Sequence, residues 1–211
     1  MTPLWRDEPR GGRLLDAGPW LVCLDLQREF VSPGRPLHSP GVENRLAACA
    51  GLLAHARDAG WPVIHAHRRR DSGLFSDRSE FSRPIEGLEP LVSEALFFRS
   101  QMSAFAAPGL RRMAPPTPGT RVFVAALSLD NACLATVLQG ADLGLKITVA
   151  EDLLGASPLG PYAPGVVAGV AKRMIAPFAR FEPTQALMRH DRVERRPNLH
   201  LTFEGNESWP A

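Results

Sequence analysis

The chain has 211 residues, of which 45% are hydrophobic and 22% are charged, and its formal net charge at pH 7 is +2. This length suits one domain with a sizeable core, and the composition is ordinary for a globular protein. The small net charge gives no reason to expect a nucleic acid or an anionic membrane as partner, and no apolar run approaches the length of a membrane span.

Three cysteines, Cys23, Cys49 and Cys133, are widely spaced along the chain. An odd number of scattered cysteines favours a reducing compartment over a disulfide framework. The first residues are polar and contain no apolar signal core, so we expect a cytoplasmic protein. Cys23 falls in an apolar strand and Cys49 on a helix, which predicts packing roles for both. The predicted organisation is an N-terminal arm (1–18), one domain (19–188) and a C-terminal tail (189–211).

The first half of the domain is predicted to contain two strands with a helix between them. These elements are a strand at Trp20–Asp25, a helix from Ser39 or Pro40 to about Gly60, and a strand at Trp61–His67. The basic run 67–70 follows, and we interpret it as a solvated surface loop, because short charged runs usually are. It leads into a long polar stretch, 68–94, and loops of that length inside a domain are usually functional or mobile.

The second half continues the alternation of strands and helices. Its predicted strands are Ala95–Phe98, 121–126, Lys146–Ala150 and Pro177–Phe181, and its predicted helices are Ala107–Met113, a helix from Asn131 to Gly144, Pro164–Ile175 and a final turn at Thr184–Met188. This order predicts an α/β, Rossmann-like fold, in which a parallel sheet is covered by helices on both faces. Ligands in such folds bind at the carboxyl ends of the strands, around the reversal in strand order.

Cys133 lies just after a predicted strand, in the first turn of the predicted helix that follows it. Asp130 is a good N-cap residue, which would make Cys133 the third helical residue. Unpaired N–H groups and the helix dipole at that place favour a thiolate and could bind an oxyanion. The alternative is a small buried thiol that only packs, which is the commoner fate of a free cysteine.

Asp25 and Arg99 each lie at or just past the end of an apolar strand. A buried carboxylate needs a partner, and a guanidinium can supply two hydrogen bonds to it. The alternative is that both are surface residues that never meet. With Cys133 as nucleophile, Asp25 as proton acceptor and Arg99 as the cation that holds both, the three residues predict acyl-transfer chemistry.

Other kinds of site are not indicated by the sequence. The serine motif GxSxG and the phosphate-binding patterns GxxxxGK[ST] and GxGxxG do not occur. His65 and His67 are two residues apart on a predicted strand, and we expect them to face opposite sides and not to share a metal ion. We therefore predict no metal site and no cofactor.

Several segments together resemble the isochorismatase-like cysteine hydrolase superfamily, over roughly Trp20 to Met188. The segment WLVCLDLQREF matches an apolar strand that ends in Asp25, with Gln27 and Phe30 behind it. The segment FFRSQMSAF resembles a Lys-x-x-x-Ser-Ala-Phe motif, in which Arg99 stands at the lysine and Phe105 at the phenylalanine. The stretch from Leu129 to Gly144 resembles the nucleophile turn and helix of that family, with Cys133 in step, and KITVAEDLLGAS resembles its next strand.

The resemblance implies a three-layer α/β/α domain with a six-stranded parallel sheet. It also implies an Asp-Lys-Cys triad acting on amides or related C–N bonds, and the presence of the cysteine favours this amidase branch. In that scheme Asp25 takes the thiol proton and Cys133 attacks the carbonyl. Backbone groups of the turn, at Leu129, Asp130 and Ala132, hold the oxyanion. The expected pocket for a small-molecule substrate is formed by Gln27, Phe30, His67 and Phe105, and the expected assembly is a homo-oligomer, a dimer or tetramer.

The chain departs from the family pattern at two places. The triad lysine is Arg99, and the small-residue turn before the nucleophile, which in the family includes a non-proline cis peptide, reads Leu127–Asp130. Asp130 also places a negative charge near Cys133, which should raise the thiol pKa. Two alternatives to amide hydrolysis therefore stay open. One is a weakened or non-catalytic protein that binds a small ligand, and the other is a vinyl ether hydrolase or lyase that uses Asp25 as acid.

Overall fold

The computed structural model describes residues 18–113, 115–157 and 159–190, so the predicted arm and nearly all of the predicted tail lie outside the described residues. The six strands are β1 (Trp20–Leu24), β2 (Val63–Arg68), β3 (Ala95–Arg99), β4 (Arg121–Ala126), β5 (Lys146–Ala150) and β6 (Arg180–Glu182). The five α-helices are α1 (Glu43–Asp58), α2 (Pro108–Met113), α3 (Ala132–Asp142), α4 (Pro164–Ile175) and α5 (Thr184–Leu187).

The strands form one sheet in the order β3-β2-β1-β4-β5-β6, and every neighbouring pair is parallel. β1 lies in the middle, and the direction in which successive strands are added reverses between β1 and β4. The predicted six-stranded parallel sheet and the Rossmann-like fold class are thus confirmed.

The two faces of the sheet carry separate apolar clusters, because successive side chains of a strand point to opposite faces. Val22 and Leu24 of β1 pack on the face that carries α2, α3 and α4. Leu21 and Cys23 pack on the opposite face with α1 and α5. The helices therefore form one layer on each side of the sheet, which gives the predicted α/β/α arrangement. Cys23 and Cys49 are both buried in the second cluster, as their packing roles predicted.

Some predicted bounds were wrong by a few residues. Helix α1 begins at Glu43, because Gly41 takes a left-handed conformation (φ +69) that breaks the chain direction after Pro40. Strand β6 begins at Arg180, because Ala179 still donates a hydrogen bond to the carbonyl of Ile175 at the end of α4. No helix in the part of the chain that the structure describes is both long and apolar enough to span a membrane.

The basic run 67–70 is only partly the surface loop that its charge predicted. β2 continues through Arg68, which is 8% exposed, whereas Arg69 and Arg70 are exposed. The polar stretch after them folds back on itself, since the N–H of Arg70 donates to the carbonyl of Phe75 at 2.9 Å. An antiparallel bridge between Gln27 and Pro84 then ties this stretch to the segment behind β1.

Candidate active site

A small cavity of about 20 Å³ lies at the carboxyl ends of the central strands. Its wall includes Asp25 behind β1, Arg68 at the end of β2, and the turn after β4 from Leu127 to Ala132, except Leu129. This is the place where the strand order reverses, and ligands of parallel α/β sheets bind there. A larger groove of about 580 Å³ runs past the amino ends of β4 and β5 and contains none of the predicted site residues.

Asp25 is the buried carboxylate of this site. The residue takes a left-handed conformation with φ +50, which is uncommon for a non-glycine residue, and such residues cluster at functional sites. Its Oδ1 accepts a hydrogen bond from Arg99 Nη2 at 2.6 Å, and its Oδ2 lies 3.3 Å from Arg68 Nη2. Burial raises the pKa of Asp25 more than the two arginines lower it, so its net pKa is above the ordinary value.

Arg99 is held as firmly as the carboxylate that it binds. Its side chain is buried, and Nη1 donates to the carbonyl oxygens of Gln101 and of Met102, the latter at 2.7 Å. The structure therefore brings Asp25 and Arg99 together, and the alternative of two surface residues that never meet is wrong. The Arg99 guanidinium and the Asp25 carboxylate are therefore held in fixed positions at this end of the sheet by a charge-assisted hydrogen bond.

Arg68 was missed as a site residue, because it stands in a basic run that is typical of a solvated loop. It lines the cavity, and its guanidinium lies over the ring of Phe75 at 4.9 Å. A signal was present in the spacing: Ile64 and Ala66 face the cluster on the α3 side, and a period of two puts Arg68 on the same face. That face is also the face of Arg99, the register partner of Arg68 on β3.

Cys133 is the second residue of α3, and none of its surface is exposed. It packs in the apolar cluster with Leu24 and Val137 and is not part of the cavity wall. Burial, followed by the charges of Asp130 and Asp25, raises the pKa of the thiol to about 12. The structure thus keeps Cys133 as a protonated, covered thiol next to the site.

The turn before α3 differs from the predicted cap. The N-cap is Asn131, with φ +54, and not Asp130, whose carboxylate instead accepts hydrogen bonds from the hydroxyl of Ser128 and, at 3.0 Å, from the amide of Asn131. Ser128 and Asn131 were not predicted as site residues. Every peptide bond in the described ranges is trans, including those of the turn Leu127–Asp130, where the family has a cis peptide.

The predicted oxyanion residues divide into two groups. The N–H of Leu129 already donates to the carbonyl of Gly155 at 2.8 Å, so this buried residue is not available to an oxyanion. Asp130 and Ala132 do line the cavity. N–H groups in the first turn of a helix have no partner within the helix, so Ala132 and Cys133 are the donors best placed for that role.

Of the four predicted pocket residues, only Phe30 is on the cavity wall. Gln27 instead binds backbone: its Oε1 accepts from the N–H of Arg68 at 2.9 Å, and its Nε2 donates to the carbonyl of Arg68 at 3.0 Å. Phe105 is a core residue, packed so closely against Gly140 that a Cβ built there would lie 2.9 Å from its ring. These two residues are buried structural parts of the site's surroundings.

His67 also lies off the cavity wall, and the expectation that it and His65 face opposite sides was wrong. Residues two apart on a strand share a face, and the two rings stand 5.8 Å apart, edge to face. Burial, with the nearby His65 and Arg99, lowers the pKa of His67 to about 3, so its ring is neutral. Among the described residues, no group of three or more His, Cys, Asp or Glu side chains is placed to hold a metal ion.

The isochorismatase domain matches residues 19–167 of the chain. A maleamate amidohydrolase from Pseudomonas putida is 27% identical over 153 residues, which are 65% of this chain and 72% of that protein. A secreted isochorismatase effector from Verticillium dahliae is 27% identical over 138 residues, which are 64% of this chain and 71% of that protein.

Solved structures have the same fold. An isochorismatase family protein from Desulfovibrio vulgaris superposes with a TM-score of 0.68 at 26% identity, covering 82% of this chain and 97% of that one. An isochorismatase from Pseudomonas putida superposes with a TM-score of 0.68 at 24% identity, covering 85% of this chain and 93% of that one. The layered architecture is therefore shared across most of both chains.

Proposed function

The chain belongs to the isochorismatase family of hydrolases, and from that premise we propose that it hydrolyses a C–N bond of a small amide through a covalent intermediate on Cys133. The observation that carries the proposal is the buried pair of Asp25 Oδ1 and Arg99 Nη2, 2.6 Å apart, in which Asp25 lines the same cavity as Ala132 in the first turn of the helix that holds Cys133. The likeness to a maleamate amidohydrolase supports an amide as the substrate.

In the proposed reaction each residue has one role. Asp25 accepts the proton of the Cys133 thiol, and the sulfur adds to the amide carbonyl carbon. The N–H groups of Ala132 and Cys133 stabilise the oxyanion. The amine leaves with a proton returned by Asp25, and water then cleaves the thioester to release the acid and the free thiol. Arg99 keeps Asp25 in place through both steps.

The covered thiol sets a condition on this mechanism. Cys133 has no exposed surface and a thiol pKa of about 12 in the free protein. The turn that carries Ser128 and Asp130 must therefore move when substrate enters. A shift of the Asp130 carboxylate away from the sulfur would also remove one of the charges that hold the proton on the thiol.

The proposal is tested by assaying ammonia release from a panel of small primary amides that includes maleamate. The wild-type protein is expected to turn over at least one of them, and Cys133→Ala and Asp25→Asn are each expected to lose that activity by a factor of about a thousand or more. Mass spectrometry of rapidly quenched reactions should find the acyl group on Cys133. Full activity of Cys133→Ala would overturn the covalent mechanism.

A second function is favoured by one specific observation. Asp25 lies on the cavity wall with a raised pKa, whereas Cys133 does not reach that wall. This arrangement suits a vinyl ether hydrolase or lyase in which protonated Asp25 donates its proton and the cysteine takes no part. Activity that survives in Cys133→Ser and is lost in Asp25→Asn would establish this reading. Loss of all hydrolysis with retained binding would instead establish a non-catalytic ligand-binding protein.

We further propose that the domain 19–188 works as a homo-oligomer in the cytoplasm. Three cysteines that are all free and buried fit a reducing compartment. Self-association is supported by a stripe of exposed apolar side chains at four-residue spacing on and just after α4, formed by Val166, Val170, Met174 and Phe178. A symmetric pair of chains can cover such a stripe with its own copy.

A further inference from the structure

The guanidinium of Arg68 has unused hydrogen-bonding capacity inside the site. Arg68 is 8% exposed and lines the cavity, yet neither its Nε nor its Nη2 has a hydrogen-bond partner among the described residues. An unpaired buried N–H costs about 1–3 kcal/mol, and more when the group is charged. A group retained in that state is placed for a ligand that the free protein lacks.

The neighbouring carboxylate does not use up this capacity. Asp25 Oδ1 is taken by Arg99, which also donates to two backbone carbonyls. Asp25 Oδ2 lies 3.3 Å from Arg68 Nη2 without hydrogen-bond geometry, and it remains without a partner. Arg99 also has an unpartnered Nε, but Arg99 does not line the cavity. Arg68 is therefore the cation that a bound molecule can reach.

The surroundings fix Arg68 before any ligand arrives. Gln27 holds its backbone N–H and carbonyl with the two ends of one amide. Phe75 lies beneath its guanidinium and has a left-handed backbone with φ +64. A strained residue kept under a charged group is typical of a functional site. A pre-organised guanidinium loses little entropy when it binds, which favours affinity.

We propose that Arg68 binds a carboxylate of the substrate, so that the enzyme selects small amides that carry a carboxylate group. The planar fork of arginine matches a carboxylate better than it matches a neutral amide. Asp130 also lines the cavity, but its carboxylate already accepts hydrogen bonds from Ser128 and Asn131. The cavity of about 20 Å³ holds one water-sized group beside Arg68, so the rest of the substrate enters when the turn moves. This inference rests on the proposed function.

Calorimetric titration of the full chain with maleate, and separately with the uncharged diamide succinamide, tests the site without turnover. Wild type is expected to bind maleate, and Arg68→Met should weaken that binding by tenfold or more. Arg68→Lys, which keeps the charge but not the fork, should lie between them. The matched control is Arg69→Met, because Arg69 is exposed and paired with Asp77 outside the cavity; its affinity for maleate should equal that of wild type.

Three results would overturn the proposal: no maleate binding by wild type, binding within twofold in Arg68→Met, or equal affinity for succinamide. If Arg68→Met does not fold, as judged by circular dichroism, the ratio of the affinities for maleate and succinamide is compared between Arg68→Lys and wild type. A lower ratio in Arg68→Lys supports the proposal, and an equal ratio overturns it. Failure of the proposed function is separate. Maleate binding that depends on Arg68, without hydrolysis of any amide, would contradict the proposed hydrolase function and still support the carboxylate site. Hydrolysis whose rate depends neither on a carboxylate in the substrate nor on the Arg68 substitutions would support the hydrolase and overturn the carboxylate site.

Discussion

Arg68 and Arg99 are register partners at the carboxyl ends of β2 and β3, so two buried guanidinium groups lie side by side on one face of the sheet. Neighbouring like charges repel on adjacent strands, and the repulsion is stronger away from water. Asp25 lies within 2.6 Å of Arg99 and 3.3 Å of Arg68 and is the carboxylate between them. One acidic residue thus faces two cations and offsets only part of their charge.

This arrangement predicts that Asp25→Asn lowers the stability of the fold as well as the catalytic activity. Removing one partner of a buried ion pair leaves uncompensated charge and costs about 3–5 kcal/mol in the free energy of unfolding. Urea denaturation at neutral pH measures it. The control is Asp77→Asn, which breaks an exposed pair with Arg69 and should cost under about 1 kcal/mol. Equal effects of the two substitutions would show that Asp25 does not balance the arginines.

The raised pKa of Asp25 predicts the acidic side of the pH profile. If Asp25 acts as the base, it must be ionised, so kcat/KM falls as the pH drops through its pKa, and the midpoint lies above the ordinary carboxyl value of 3.8. Arg68→Met removes a cation that lowers this pKa, so the midpoint should move to higher pH, whereas Arg69→Met should leave it unchanged. A profile in which activity instead falls as the pH rises through this range would identify Asp25 as the acid of the alternative reaction.

Asp130 is predicted to control the reactivity of Cys133. Its charge is, after burial, the second cause of the raised thiol pKa, so Asp130→Asn should lower that pKa. Because a shift of one pKa unit changes the thiolate fraction by about tenfold, alkylation of Cys133 by iodoacetamide at pH 8.5 should speed up by roughly threefold to tenfold. Site-resolved mass spectrometry measures the rate for each cysteine.

Cys49 is the internal control for that experiment. Its thiol pKa is also raised to about 12, but by burial and Asp152, so Asp130→Asn should not change its labelling. Equal acceleration at both cysteines would mean that the substitution loosens the whole fold. No acceleration at Cys133 would mean that coverage of the sulfur, and not its charge state, limits the reaction.

Strand ends could be predicted from the sequence, and so could the meeting of Asp25 with Arg99, because each follows an apolar run that only a buried strand explains. The place of Arg68 in the site could not be predicted from the charge pattern, because a run such as HRRR has the same composition whether it forms a solvated loop or the end of a strand. Only the period of two through Ile64, Ala66 and Arg68 separates these cases. The same period places His65 and His67 on one face.

The environment of Cys133 depends on contacts that no local pattern encodes. Whether a thiol at a helix start is exposed is decided by how the preceding turn lies over it, and here Asn131 occupies the N-cap position with φ +54 and makes no side-chain capping hydrogen bond. Phe105 illustrates the same limit. Its motif predicts a pocket residue, but the absence of a side chain at Gly140 on α3 lets its ring pack into the core.

Gly155 is predicted to be essential for the shape of the turn above the site. A Cβ at Gly155 would overlap Arg45 Nη1 and Ser39 Oγ. Arg45 donates to the carbonyl of Leu127 at 3.2 Å, and Gly155 itself pairs with Leu127 and Leu129. Gly155→Ala should therefore lower the free energy of unfolding by about 1–3 kcal/mol, as overpacking does, and reduce kcat/KM by moving the turn.

The control for Gly155 is Gly165→Ala on α4. A Cβ at Gly165 meets nothing within 4 Å, and alanine is a better helix former than glycine by up to about 1 kcal/mol, so this variant should be as stable as wild type or slightly more stable. Thermal denaturation and a steady-state assay of both variants give the comparison. Wild-type activity in Gly155→Ala would show that the turn tolerates displacement of Arg45.

The apolar stripe on α4 predicts the last measurable property, self-association. Val170 is 57% exposed at its centre, and an ordinary monomer rarely leaves such a continuous apolar row in water. Sedimentation velocity should find an oligomer for wild type and a monomer for Val170→Glu, because a buried, unpaired carboxylate at a symmetric contact is repeated in each copy. Val92→Glu is the matched control, since Val92 is 88% exposed and lies away from the stripe, so that variant should sediment as wild type does. A wild-type monomer, or an oligomer that survives Val170→Glu, would mean that something other than a second copy covers α4.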